Sequence, residues 1–393
     1  MTTHQSAIEV LKNKSKHRKT EILPLANCLH LVSADEVFAP INVPSFDNAA
    51  MDGYVFRFED FLNELNLQII NEIQAGTDAL LPLKKGEAAR IFTGAPIPEN
   101  GDTVIPQEDV LVENGMLKFQ KKVNKNANVR QKGTQTQKGT LILKKNTKIT
   151  AEYIGFLATF GIAELEVFAP PKIGIITTGK ELVKAGNSLE NYQIYDSNSV
   201  FLTAAFEEIG LKLSFSIWVD DNKNELKNAI QENVEKVDVL IFTGGISVGD
   251  YDFLKPVLDD LDVQESFYRV KQKPGKPLFF GTLNNTEIFA LPGNPSAVVM
   301  CFHVYLKPFI KEKMGIESFT KKEFGILMNE YIKKSGLTHF VKAFVENNKV
   351  EILNNQLSYQ MDAYTKANAF AILTENQEYF QIGDKVEVIK FRN

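Results

Sequence analysis

The chain has 393 residues, 44% of them hydrophobic and 24% charged, which predicts a folded protein of two to four structural units with sizeable cores. A net charge of -5 and a pI of about 5.7 are the wrong balance for a protein that neutralises nucleic-acid phosphate, so no nucleic-acid partner is expected. Two distant cysteines, Cys28 and Cys301, exclude a disulfide framework, and five scattered histidines (His4, His17, His30, His303, His339) show no zinc-ligand spacing, so a reducing compartment is expected.

The first 43 residues carry a helical pattern (Ile8, Leu11, later Ile22 and Leu23) that turns extended at Val37–Pro40. The basic stretch Lys12–Lys19 is not followed by an apolar segment and is therefore no secretory signal; a solvated helix face is the expected reading, an anion-binding face the other. No run reaches the roughly 18 apolar residues of a membrane span, so no membrane partner is expected and the cytoplasm is the expected location. From Pro44 to Leu143, short alternating runs such as Leu67–Ile70 and Asp102–Ile105 lie between Gly, Pro and Asn breakers, which predicts a β-rich unit. Residues 150–168 return to a helical pattern (Ile154, Leu157, Ala158), closed by Gly161 and Pro170-Pro171. The β-rich block 44–143 therefore reads as an insertion into a helical unit made of 1–43 and 144–170.

From Lys172 the pattern alternates. Ile173–Gly179 is an apolar run ending in a glycine turn, followed by a helix over Ser199–Ile209 that stops at Gly210. Leu213–Val219, Val237–Gly245 and Thr286–Leu291 read as strands, with helices over Asn224–Val234 and Val298–Leu306. Near-continuous apolar strands alternating with helices predict a parallel sheet covered on both faces, a three-layer α/β domain over 171–318. Beyond it, His339–Val345 and Val350–Leu353 read as a hairpin about Asn347-Asn348, and Val386–Phe391 as a last strand, giving a small β-domain over 319–393.

Parallel sheets bind ligands beyond the carboxyl ends of their strands. Three strands here end in polar, glycine-bearing loops: Thr177–Glu181, Thr243–Asp252 and Pro292–Ser296. Such glycines let backbone N–H groups approach an anion, and one loop alone would pass for a turn. Asp196-Ser197-Asn198 precedes the first helix, where Ser197 or Asn198 could equally be a cap. Lys271, Lys273 and Lys276, around Pro274, Gly275 and Pro277, would suit a phosphate or doubly charged oxyanion, although surface lysines usually only solubilise. Asp52, Glu108, Glu181, Asp220 and Asp252 sit beside glycines or strand ends; singly they read as surface acids, and converging they would need a cation, Mg²⁺ rather than zinc.

Seven blocks in order then carry a resemblance. They are Pro44–Tyr54 (PSFDNAAMDGY), Phe92–Pro98 (FTGAPIP), Val104–Glu108 (VIPQE), Tyr195–Asn198 (YDSN), Gly244–Asp252 (GGISVGDYD), Lys273–Pro277 (KPGKP) and Leu291–Pro295 (LPGNP). Together they resemble the MoeA/gephyrin E-domain family over nearly the whole chain, faintly after 319. The resemblance implies an elongated, multidomain α/β plus β subunit: a helical linker domain, the inserted β-rich domain, a molybdopterin-binding α/β domain and a C-terminal β-barrel. It implies a homodimer sharing its active site between the α/β domain of one subunit and the β-domain of the other. The implied activity is that of a Mg²⁺-dependent transferase, with adenylylated molybdopterin and molybdate as substrates, the finished cofactor and AMP as products, and molybdopterin adenylyltransferase as a candidate partner.

On the same resemblance Asp196, Ser197 and Asn198, with Gly244, Gly245, Ser247 and Gly249, would hold the pterin and its phosphate. Asp220, Asp252 and Glu181 would surround Mg²⁺ and the adenylate end, Lys273 and Lys276 would neutralise phosphate or molybdate, and Pro292 and Pro295 would shape the oxyanion pocket. Asp52, Thr93 and Glu108 would come from the partner subunit. Two departures lower the local negative charge: Gly133-Thr134-Gln135 where the family has Gly-Glu-Asp, and Thr178-Gly179-Lys180-Glu181-Leu182 where it has Thr-Gly-Asp-Glu-Leu. The readings left open are a tungstate-inserting enzyme and a non-catalytic or weakly active molybdopterin-binding protein.

Overall fold

The computed structural model describes residues 1–16, 18–77, 81–246, 253–319 and 322–392. The chain divides into two compact units, one of residues 1–22, 30–34 and 166–393, the other of 23–29 and 35–165. It opens with α1 (His4–Lys14), capped by Thr3, whose hydroxyl oxygen accepts the Ser6 N–H at 3.1 Å. Ala7 and Leu11, one turn apart, form its buried face. The helical pattern does not reach Ile22 and Leu23: Thr20–Pro24 is a strand, as β-branched Thr20 and Ile22 and the proline favour. The basic stretch is only partly a solvated face, because Arg18 pairs with Glu312 at 3.2 Å and Lys19 with Asp238 at 2.5 Å.

In the smaller unit, β1 (Gly53–Phe56), β2 (Leu67–Ile73), β3 (Glu87–Ile91), β4 (Thr103–Pro106), β5 (Val110–Glu113) and β6 (Met116–Phe119) form one sheet in the order β4-β1-β3-β2-β6-β5. Only β2 and β3 run parallel. Consecutive residues feed opposite faces, as the strand period of two requires. Val55, Ala89 and Val104 enter one core while Phe56, Ala88 and Ile105 enter another. Helix α2 (Ala151–Ala158) is short, and the helical run expected to continue to 168 gives way to a strand over Glu164–Phe168, where burial alternates through Leu165 and Val167.

In the larger unit the strands are β7 (Ile173–Thr178), β8 (Phe215–Val219), β9 (Val239–Thr243), β10 (Gln264–Tyr268), β12 (Phe279–Leu283) and β13 (Thr286–Leu291), with a two-residue β11 (Gln272–Lys273) between. The sheet order is β8-β7-β9-β13-β12-β10, parallel through the first four and antiparallel over the last two. Helix α3 (Asn198–Glu208) packs Leu202 and Phe206 on one face with Ile173 and Ile175. Helices α4 (Lys223–Asn233) and α5 (Leu254–Asp260) pack Leu226, Ile230 and Val257 on the other with Ile176 and Leu240. Each such fully buried apolar side chain contributes about 1.5–3 kcal/mol.

Helix α6 (Pro295–Cys301) passes through a π turn at Phe302–Leu306 into α7 (Lys307–Lys313). Pro308 has no N–H for the Val304 carbonyl, which accounts for the widened ladder. The chain then builds β14 (Glu323–Leu327), β15 (Thr338–Glu346), β16 (Lys349–Ile352), β17 (Ala369–Leu373) and β18 (Lys385–Lys390). Pairings β15-β16-β14-β18-β17-β15 close a five-stranded barrel, and β11 adds alongside β15 in parallel. No helix of the described residues is long and apolar enough to cross a membrane.

Candidate functional site

The parallel strands emerge from the sheet with β7, first in sequence, lying between β8 and β9. The crossover from β7 to β8 through α3 and that from β8 to β9 through α4 therefore lie on opposite faces of the sheet, and a crevice opens between the carboxyl ends of β7 and β9. A cleft of about 330 Å³ lies there, lined by Thr178 and Gly179 at the end of β7, Thr243–Ile246 at the end of β9, and Gly293 and Pro295 after β13. Its far wall is Glu181, the Ile194–Asn198 segment and Asp221. Gly244 has φ +92°, and a Cβ on it would sit 2.5 Å from the Thr178 carbonyl oxygen, so only glycine lets the two strand ends meet.

Of the residues expected around this site, Glu181, Asp196, Ser197, Asn198, Gly244, Gly245 and Pro295 all line the cleft. Ser197, one of the expected pair, occupies the N-cap position of α3 but its side chain makes no capping bond; Asp196 instead accepts the Ser199 N–H at 3.0 Å and also binds the Ser199 hydroxyl. Asn198 instead donates from Nδ2 to the Gly293 carbonyl at 2.8 Å, tying the helix start to the Pro292–Pro295 loop. Asp220 turns away into its own loop, where its carboxylate accepts the Asp221 N–H at 2.8 Å; the acid that reaches the cleft is Asp221. Burial, the largest cause, raises the Asp221 pKa, and the nearby charges of Glu181 and Asp220 raise it further, against lowering hydrogen bonds toward Thr178 and the Lys180 backbone. Ser247, Gly249 and Asp252 lie outside the described residues. Among the described residues no three acids, histidines or cysteines stand close enough together to form a complete metal cage.

Lys273, Lys276 and Pro292 line a second, larger cavity of about 660 Å³, which shares Gly293 with the first. Neither lysine has a carboxylate within ion-pair distance among the described residues. Register pairs Lys273 with His339, which also lines the cavity. Burial first, then the charges of Lys333 and Lys273, lower the His339 pKa to about 4, so it is neutral at pH 7. Asn294 donates to the Ser358 hydroxyl at 2.9 Å across the same wall. His339 and Ser358 escape a sequence reading because a lone histidine in a strand and a serine in a loop have no spacing signal, whereas Asn294 lies in the expected Pro292–Ser296 loop.

The smaller unit gathers its own polar group. Asp52 Oδ1 accepts both the Thr93 N–H at 2.8 Å and the Thr93 hydroxyl at 2.7 Å, and these bonds lower its pKa. Arg90 stacks over Tyr54 and Phe92 at 4.9 and 5.1 Å, donates to the Gly53 carbonyl at 3.3 Å and also binds the Gln107 side chain, whose Nε2 reaches Glu108 at 3.2 Å. Asp52, Thr93 and Glu108 are thus brought together, through Arg90 and Gln107, which the sequence did not single out. A Cβ on Gly53 would stand 2.0 Å from the Ile105 carbonyl oxygen, the physical reason for glycine in the Met51-Asp52-Gly53 turn. Gln135 and Lys180 are both solvent-exposed and supply no carboxylate.

Residues 2–161 match the family described as "MoeA N-terminal region (domain I and II)", 174–312 a "Probable molybdopterin binding domain", and 325–391 the "MoeA C-terminal region (domain IV)". The chain is 33% identical to a protein of Haemophilus influenzae named molybdopterin molybdenumtransferase, covering 100% of this chain and 99% of that one. It is 32% identical to a Bacillus subtilis protein of the same name, covering 96% and 91%. A crystal structure of a molybdopterin biosynthesis MoeA protein from Pyrococcus horikoshii superposes with a TM-score of 0.85 at 30% identity, with 100% of both chains covered.

Proposed function

Since this chain belongs to the MoeA family, we propose that it completes the molybdenum cofactor, inserting molybdate into adenylylated molybdopterin with release of AMP. The observation that carries the reading is the pairing of two adjoining cavities, one acidic and glycine-floored at the strand ends, the other holding two lysines with no carboxylate partner among the described residues. A pterin with a phosphoanhydride and a tetrahedral dianion need those opposite surroundings side by side.

Asp196, Ser197 and Asn198 would hold the pterin, with its phosphate set against the Gly244-Gly245 turn. Glu181 and Asp221 fit one face of a Mg²⁺ site, since Mg²⁺ commonly takes one or two carboxylates and leaves its other positions to water and phosphate oxygens. Burial first, and then the charges of Glu181 and Asp220, raise the Asp221 pKa, so a cation placed there would favour its charged form. Mg²⁺ bound there would stabilise charge developing on the phosphate during anhydride cleavage. Lys273 and Lys276 would neutralise the oxyanion, with Pro292 and Pro295 shaping its pocket. No covalent nucleophile is required. In a homodimer the exposed Asp52, Thr93 and Glu108 would serve the partner's cleft.

The test is AMP release from adenylylated molybdopterin with Mg²⁺, with and without molybdate, beside Asp221→Asn and Asp252→Asn. Molybdate-dependent release that both substitutions diminish supports the transferase. Tight binding without release would overturn it in favour of a pterin-binding protein, and restoring acids at Gln135 and Lys180 would then be the next step.

A further inference from the structure

Lys273 and Lys276 sit on a surface turn, yet the turn is not held by surface contacts. Gln272 between them and the sheet is buried, and its Nε2 donates to the Gly275 carbonyl at 2.8 Å, spanning the turn from inside. That bond fixes the amide's orientation, so Gln272 Oε1 faces the other way as an acceptor. The fully buried Tyr305 hydroxyl donates to it. Tyr305 has one proton, already given to Gln272, and its oxygen lies 2.8 Å from His4 Nδ1. His4 must therefore carry its proton on Nδ1 and donate to Tyr305. Every polar atom along this line has one possible role, and the chain of donors runs one way, from α1 through the π turn to the turn of lysines.

Two further contacts close the grip. Thr2 donates its N–H to the Arg269 carbonyl at 2.9 Å and accepts the Lys271 N–H at 2.8 Å, so the backbone just before α1 pairs with the strand that enters the turn. Gly275 lies flat on α6, where a Cβ would meet Met300 Cε at 2.7 Å and Cys301 Sγ at 2.9 Å.

We propose that His4, Tyr305 and Gln272 are positioning residues for the oxyanion pocket: a directed hydrogen-bond chain through which α1 sets where Lys273 and Lys276 stand. The inference rests on the oxyanion role given to those lysines under the proposed function. None of the three touches the ligand; they act through the turn.

The test uses the full chain carrying His4→Leu, His4→Asn or Tyr305→Phe, with molybdate alone as the probe. Calorimetry should show His4→Leu and Tyr305→Phe binding molybdate about tenfold more weakly, or about 1.4 kcal/mol. Amides of residues 270–276 should exchange faster while those of β7 and β9 stay unchanged. His4→Asn, which keeps a donor near the Nδ1 position, should recover both properties. Wild-type affinity and wild-type exchange at 270–276 in folded His4→Leu would overturn the proposal. So would a uniform loss of protection across the sheet that His4→Asn does not repair, the signature of a merely structural residue. Should the wild-type chain bind no molybdate, the oxyanion reading fails, and the local exchange pattern still decides the positioning chain.

Discussion

The cleft at the strand ends and the Asp52 group of the smaller unit use the same device to opposite electrostatic effect. Each begins with a glycine pressed against a neighbouring strand's carbonyl, Gly244 on Thr178 and Gly53 on Ile105. In the cleft, the glycine turn faces crowded acid: Asp221 is held against its charge by burial and by two carboxylates. In the smaller unit, Asp52 is already answered by two donors from Thr93 and by Arg90 nearby, so its charge is favoured. Under the proposed function the first arrangement would take a cation, whereas in the second Thr93 already holds one carboxylate oxygen in place.

The strongest way to break the comparison is at the glycines. Gly244→Ala and Gly53→Ala should each cost about 3 kcal/mol through overpacking against backbone, and for Gly244 through strained φ as well. Urea unfolding monitored unit by unit should show each loss in its own unit; a loss below about 0.5 kcal/mol would mean that the strands part easily.

Charge relief comes next. Asp221→Asn should raise Tm at pH 7 in the absence of metal and abolish stabilisation by Mg²⁺, which in the wild type should reach about 2.7 kcal/mol at a hundredfold excess over Kd. The raised pKa sets the sign: the Asp221 contribution is present below its ordinary value of 3.8 and is lost as pH rises through the folded value. The substituted chain should lack that part of the pH dependence of Tm. An unchanged response to Mg²⁺ would place the metal elsewhere.

The smallest effect belongs to Thr93→Val, which removes one of the two donors to Asp52. The Asp52 pKa, read by NMR titration, should rise toward 3.8 while the fold is unaffected. Because that pKa is depressed, the Asp52 contribution is present above 3.8 and is lost as pH falls through the folded value, the reverse of Asp221. Titrations of the same sign at both acids would erase the distinction between the two sites.

Much of the fold was legible in the sequence where one signal dominated. The apolar strands, Gly210 after α3 and the paired asparagines between β15 and β16 are all where the periodicity and turn chemistry predicted. Short apolar runs were ambiguous, since Ile22-Leu23 and Leu165–Val167 satisfy helical spacing over a few residues and only their tertiary partners make them strands. At the site, glycine turns announced themselves because their conformational need is local. The choice of Asp221 over Asp220 did not, because adjacent residues on a turn differ only in which way they face. Nor did Arg90, His339 or Tyr305, whose roles exist only through residues far away in the chain.

The closed barrel has one more consequence, for assembly. A ring of five strands closes on itself, and the row left free at the start of β15 is taken by β11, so the ring offers little template on which another chain could add a strand. In the six-stranded sheet of the same unit the unpaired rows belong to its two outermost strands, β8 and β10. A partner or a misfolded copy that recruits backbone from these two sheets is thereby directed to β8 or β10, and β8 carries the half-exposed Trp218 beside the cleft.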